Sequence, residues 1–283
     1  LKGYTKQEIS WMMYDWANSA HSVIIVTLLP IFFDTVAGYT ADSVSSMSTW
    51  GYATSIAMLI VALAAPFLGV FGDIRGMRKK LFSFFMLLGV AACAGMAFTP
   101  GMDFTSGPVA AGKVASLILV LYIVSVIGFD ASAIYYDAFL TDVTIEDRMD
   151  KVSTMGYGLG YIGGSTIPLL IFLIMNLVGV PMLTCLAFVF GLTAVWWLAF
   201  SLPLLKNCEQ TSGKPYEKGD VARSIKGVGT TIKEIIANKP MLIYILSYFF
   251  YIDGVHTVIS MATTYGTNLG LDSAGMLLAL LLV

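Results

Sequence analysis

In this chain of 283 residues, 57% are hydrophobic and 12% are charged, about half the ~25% charged share of an ordinary soluble domain. With a mean hydropathy of +0.81, that composition excludes a soluble globular enzyme and predicts an all-α polytopic membrane protein. The formal net charge of −2 excludes little; the distribution of charge along the chain carries the information.

A membrane span needs about 20 apolar residues. Seven runs meet this: 12–37, 47–71, 81–99, 113–140, 152–178, 182–205 and 240–266. The first is too long for the core of a secretory signal, which runs to about 15 residues, and is read as a retained span. An eighth run starts near Ser273 and stops at Val283, and the chain opens on Leu1, so a continuation at both ends is expected. Cys93, Cys185 and Cys208 stand far apart and give neither a disulfide framework nor metal-ligand spacing.

With the N-terminus cytoplasmic, the inside loops are 1–11, 72–80, 141–151 and 206–239, and of the 16 Lys and Arg residues only Lys113 falls elsewhere. Cationic loops stay on the cytoplasmic side, so this asymmetry sets the expected orientation. The outward ends carry Asp34, Asp42, Asp103 and Asp272. Trp11, Trp16, Trp50 and Tyr52 sit near the ends of runs and are expected to act as interfacial anchors. In the loop 206–239, Val221, Ile225, Val228, Ile232 and Ile235 fall on one helical face, with Arg223, Lys226 and Lys233 off it. That pattern predicts an amphipathic helix along the inner leaflet, ended by Asn238-Lys239-Pro240. The expected organisation is a six-helix bundle over 1–205, the inter-bundle loop 206–239, and the opening spans of a second bundle over 240–283. Such a layout is that of a transporter built from two repeated halves.

Ionisable groups inside spans cost roughly 2.5–3.5 kcal/mol each at a helix centre and are functional candidates by default. Four carboxylates qualify: Asp15 in span one, Asp130 and Asp137 in span four, and Asp253 in span seven, joined by His21 and His256. Asp15, Asn18, Ser19 and Ser22 lie on one stripe of span one; Asp130 and Asp137 share a face; Asp253, His256 and Thr257 form a third stripe. Three polar faces predict a common cavity. Asp130 and Asp253 lie deepest and are the expected proton or solute sites, whereas Asp15 and Asp137, nearer the cytoplasmic ends, are expected in a gate. Span five carries Gly156, Gly160 and Gly164 at GxxxG spacing, which favours close helix packing.

Residues 69–80, GVFGDIRGMRKK, place Gly69, Asp73, Gly76 and Arg78 at the spacing Gly-x-x-x-Asp-x-x-Gly-x-Arg. This resembles the signature of the loop between helices two and three in the major facilitator superfamily, with Ile74 and Met77 standing where basic residues are common. Tyr14 to Ala20 (YDWANSA), Tyr135 to Leu140 (YYDAFL), Gly158 to Gly164 (GLGYIGG) and Tyr251 to Val255 (YIDGV) resemble the vacuole-effluxer-like branch of that superfamily. His21 stands where that branch would have an aromatic residue, and Asp137 where it would have Asn. The resemblance implies the major facilitator fold and a secondary transporter that moves a small polar, amino-acid-like solute by alternating access, with efflux the implied direction. It adds Tyr136 to the pathway candidates, and assigns Gly69, Asp73, Gly76 and Arg78 to a cytoplasmic latch whose partner, the end of span eleven, lies beyond Val283. The expected partners are the solute, membrane lipid and coupling protons, with no nucleic acid, cofactor or metal and a monomeric state. The expected location is the plasma membrane of a prokaryote or the vacuolar membrane of a eukaryote. No GxxxxGK[ST] stretch is present, which excludes a P-loop for ATP. Two separated histidines supply no nucleophile–base pair for a membrane enzyme, and a receptor or scaffold would have only the loop 206–239 to work with.

Overall fold

The computed structural model describes residues 1–40, 43–215, 219–271 and 275–276. Asp42, Asp272 and nearly all of the eighth apolar run lie outside the described residues, as do the side chains of Val221, Arg223 and Ile225. The described chain is helical: α1 (Lys6–Ala37), α2 (Ser43–Gly72), α3 (Arg78–Met96), α4 (Pro108–Val143), α5 (Glu146–Leu159), α6 (Thr166–Leu177), α7 (Met182–Asn207), α8 (Asp220–Ala237) and α9 (Lys239–Asn268). Seven of these rods are long and apolar enough to cross a membrane, α5 and α6 counting as one continuous rod over Glu146–Leu177. They coincide with the seven predicted runs.

Local chemistry sets the helix ends. Thr5 and Glu8 form a reciprocal capping box at the start of α1: Glu8 N donates to Thr5 Oγ1 at 3.1 Å and Thr5 N to Glu8 Oε2 at 2.7 Å. The same carboxylate accepts from Arg148 Nε and Nη2, both at 2.8 Å, and from Thr144 Oγ1 at 2.7 Å. A single glutamate thus starts α1 and ties it to the α4–α5 turn. Asn238 caps α9, its side chain accepting from Met241 N at 3.3 Å, with Pro240 in the first turn, so α8 ends where the sequence places its end.

Between α5 and α6, Gly160–Ser165 is a π-helical turn. Pro168 follows it, buried in α6, and has no N–H to give to the carbonyl of Gly164. The wider ladder is closed by Thr166 Oγ1 donating five residues back to the Tyr161 carbonyl at 2.9 Å.

Among the six helical rods through α7, α1 is the central one: its apolar window is 72% buried against 11% for that of α2 and 0% for that of α9. This overturns part of the expected aromatic belt. Trp11 and Trp50 are 2% and 1% exposed. Trp11 stacks on Tyr136 with centroids 4.3 Å apart, and Trp50 packs on Tyr122 at 4.3 Å and Phe33 at 5.5 Å. These rings fill the bundle interior, where flat apolar area is worth most. Trp16 is partly buried and stacks on Trp196, whereas Tyr52 is 72% exposed.

Candidate functional site

The basic end of the bundle holds a network built around Arg78 and Asp142. Asp142, in the last turn of α4, is fully buried at its side chain and pairs with Arg78 Nη1 of α3, itself 6% exposed. The same guanidinium nitrogen donates to the Ala138 carbonyl at 2.9 Å and to Ser212 Oγ at 3.2 Å, and the group lies over the Phe139 ring. The other oxygen of Asp142 accepts four hydrogen bonds from the segment after α7: Thr211 N and Oγ1 at 3.0 and 2.9 Å, Ser212 N and Oγ at 2.9 and 2.8 Å. Gln210 faces the α2–α3 turn, its Oε1 accepting from Gly76 N at 2.9 Å and Arg78 N at 3.2 Å, its Nε2 donating to Gly72 O at 3.1 Å. Lys214 N donates to Asp73 O at 3.2 Å and Arg75 N to Lys214 O at 3.0 Å, while Lys79 Nζ reaches Cys208 O at 3.1 Å.

Residues 208–214 therefore form a strap across the α2–α3 turn, bonded to it mainly through backbone groups. Two glycines let the chains pass: Gly76 has φ +80° and Gly213 φ +115°, where a side chain is strained. Gly69 lies in the last turn of α2 and accepts Asp73 N through its carbonyl at 3.1 Å. The Asp73 residue is exposed, and among the described residues its carboxylate has no hydrogen-bond partner. Sequence reasoning singled out Gly69, Asp73, Gly76 and Arg78 but missed Asp142, Gln210, Thr211 and Ser212. The available signal was a buried-type arginine that needs a carboxylate within reach, and Asp142 was counted only as loop.

Deeper in the bundle, Asp15 of α1 accepts from Tyr136 Oη of α4 at 2.8 Å. Tyr136 is held by Trp11, whose Nε1 donates to the Tyr136 carbonyl at 2.9 Å. Beside it, Tyr14 Oη and Ser132 Oγ are 2.8 Å apart, and Trp197 Nε1 donates to Tyr14 Oη at 3.3 Å. His21 is 3% exposed and neither ring nitrogen has a partner; its ring stacks on Phe129 at 4.7 Å and tilts against Trp197 at 5.0 Å. Asn18 is 9% exposed. Asp130 Oδ2 is buried without a partner, whereas Asp137, on the same face of α4, is exposed.

The glycines of span five press against α1 at this level. A Cβ on Gly156 would run into the Asp15 carboxylate, one on Gly160 into Ser19 Oγ and the Asp15 carbonyl, and one on Gly164 into the Trp16 carbonyl and Ser19. Backbone therefore lies directly on backbone, with the π-turn covering Trp16.

Asp253 and His256 lie elsewhere. α9 meets α1 through its C-terminal half, where Thr263 Oγ1 donates to the Val26 carbonyl at 3.3 Å. Asp253 and His256, near the middle of α9, are exposed. The described residues thus join α1 to α4 at Asp15–Tyr136 without bringing α9 to that point.

The model of the family described as vacuole effluxer Atg22 like matches residues 36–144 and 140–283. Over 288 aligned residues the chain is 40% identical to the uncharacterized MFS-type transporter YxiO of Bacillus subtilis, covering 99% of this chain and 64% of that protein. It is 26% identical to autophagy-related protein 22-1 of Penicillium rubens over 148 residues, 48% of this chain and 25% of that protein. A similar match, 26% over 136 residues, links it to autophagy-related protein 22-1 of Aspergillus niger, covering 44% of this chain and 22% of that protein. The chain spans under two-thirds of the length of the bacterial relative and about a quarter of the fungal ones.

Proposed function

We propose that this chain, which belongs to the vacuole effluxer Atg22-like family, is part of a secondary transporter that moves a small, polar, amino-acid-like solute by alternating access. The observation that carries this reading is the family match through nearly all of an integral multi-pass membrane protein whose relatives are named as a transporter and as autophagy proteins. In it, residues 1–205 form one half of the transporter, 206–239 the inter-bundle loop and 240–283 the opening of the other half. The basic end is cytoplasmic, by the excess of Lys and Arg there, and α8 lies along the inner leaflet through Val228, Ile232 and Ile235. The Bacillus relative favours the plasma membrane as the location.

Under this reading transport is coupled to protons. Asp130 and Asp253 are the carriers; His256 follows Asp253 by about one helical turn on α9, and His21 of α1 adds a second titratable ring to the pathway. Asp15 and Asp137 line the cytoplasmic gate, and Asp73 is the half of a latch that the second bundle completes. The exposed position of Asp253 in these residues supports a role facing that second bundle, because an intramembrane carboxylate cannot be left to lipid. In liposomes carrying the full-length protein, Asp253→Asn is expected to abolish the dependence of solute flux on an imposed pH gradient. An unchanged pH response of that variant removes Asp253 from the coupling role.

A further inference from the structure

We infer that Asp15 anchors the ammonium group of the solute, against an aromatic wall on α1, α4 and α5; this refines the transporter reading above and rests on it. The charge balance comes first. Among the described residues the ion pairs are Arg78–Asp142 and Arg148–Glu8, and both lie at the basic end. Asp15 has one neutral donor, Tyr136 Oη on Oδ2. Its other oxygen has no hydrogen-bond partner among the described residues and does not count among the fully buried atoms. An intramembrane carboxylate with an oxygen left unpartnered and no cation beside it is incomplete: its charge is balanced by a proton or by a cation that arrives from outside the protein.

The surroundings select the kind of cation. Tyr136 and Trp11 lie stacked at 4.3 Å with an interplanar angle of 14°, and Tyr136 holds the carboxylate from one side. In span five, Tyr157 of α5 and Tyr161 of the π-helical turn are 64% and 51% exposed, with hydroxyls 3.2 Å apart, and Tyr157 is within electrostatic reach of Asp15. Gly156 completes the place, since any side chain there would occupy the position of the carboxylate. A carboxylate edged by aromatic rings and phenol oxygens suits an ammonium, which donates charge-assisted hydrogen bonds to the first and is attracted to the faces of the second by their quadrupoles. A carboxylate on the solute is repelled here, because Asp137 lies within electrostatic reach of Asp15 and adds a second negative charge. An amino-acid-like solute therefore enters this half amine first, with its carboxyl end directed to the part of the transporter outside this chain.

The test uses full-length protein in detergent, with tryptophan fluorescence titrated by a panel of amino-acid amides, the free amino acids and the N-acetylated amides. The amides carry only the ammonium, and their N-acetylated counterparts carry no charge. Expected is saturable binding of at least one amide, weakened about tenfold or more by N-acetylation and by Asp15→Asn, with Asp15→Glu retaining part of the affinity. Tyr157→Leu, at an exposed position that does not threaten folding, is expected to weaken the same amide about threefold. Equal binding of acetylated and free amines, no binding by any amide, or unchanged affinity in both Asp15→Asn and Tyr157→Leu overturns the assignment. Amino-acid flux measured on the same preparation separates the two levels. Flux that persists unchanged in Asp15→Asn removes only the ammonium site, while its absence in the wild type removes the transporter reading too.

Discussion

Asp142→Ala lowers the stability of the full-length protein by about 3–5 kcal/mol, the cost of removing one partner of a buried ion pair. The expectation is this large because the loss is compound. Arg78, 6% exposed, is left with a charge that the Ala138 carbonyl and Ser212 hydroxyl only partly satisfy. Thr211 and Ser212 lose the acceptor of four hydrogen bonds, so the strap over residues 208–214 loses its attachment to α4 and keeps its contacts to the α2–α3 turn, the start of α3 and Gln7 of α1. Asp142→Asn retains an acceptor oxygen for the strap and gives up only the charge, so a smaller loss is expected. Thermal unfolding in detergent reads the stability, and the rate of cleavage by a glutamyl endopeptidase after Glu209, an exposed residue of the strap, reads the strap. A melt unchanged in Asp142→Ala, with cleavage at the wild-type rate, contradicts this role.

The second large effect is steric. Gly164→Leu is expected to cost at least the ~1–3 kcal/mol typical of an overpacked interior, and to reduce yield of folded protein accordingly. Its Cβ would stand 2.8 Å from the Ser19 Cβ and closer still to the Trp16 carbonyl oxygen, and a helix backbone cannot swing aside as a side chain can. Gly158→Leu is the control: a glycine of the same span, in α5, with nothing within 4 Å of its Cβ. Equal melting temperatures for the two variants would remove the close packing of span five on α1.

The seven helical rods were legible because the signal for a span is local: length and apolarity suffice, and hydrogen bonding within the helix does the rest. The ends were less so. Reading Trp11 as an interfacial anchor came from starting span one at residue 12, whereas the Thr5–Glu8 capping box starts α1 at Lys6 and carries Trp11 into the interior. The π-turn at Gly160–Ser165 left hints in the glycines and Pro168, but the change of ladder depends on how α5 and α6 rest on α1.

For the site, the sequence exposed the costly residues and hid their partners. Asp15 stood out as a carboxylate in a span; its link to Tyr136 joins positions 121 apart in the chain, which no periodicity reports. The strap was invisible for the same reason. Gln210-Thr211-Ser212 is an unexceptional polar triplet, and its meaning comes from Asp142, about 70 residues earlier. The pairing of Arg78 with Asp142, within one bundle, also differs from the role between halves that the loop signature implies, and leaves Asp73 as the exposed acid of that loop.

Solute flux decides the central claim most directly. Liposomes reconstituted with the full-length protein and loaded with a labelled amino-acid mixture are diluted into label-free buffer, with and without an imposed pH gradient. The predicted result is protein-dependent, saturable efflux of one or more amino acids that responds to the gradient. Release no faster than from protein-free liposomes, under either direction of the gradient, would contradict it.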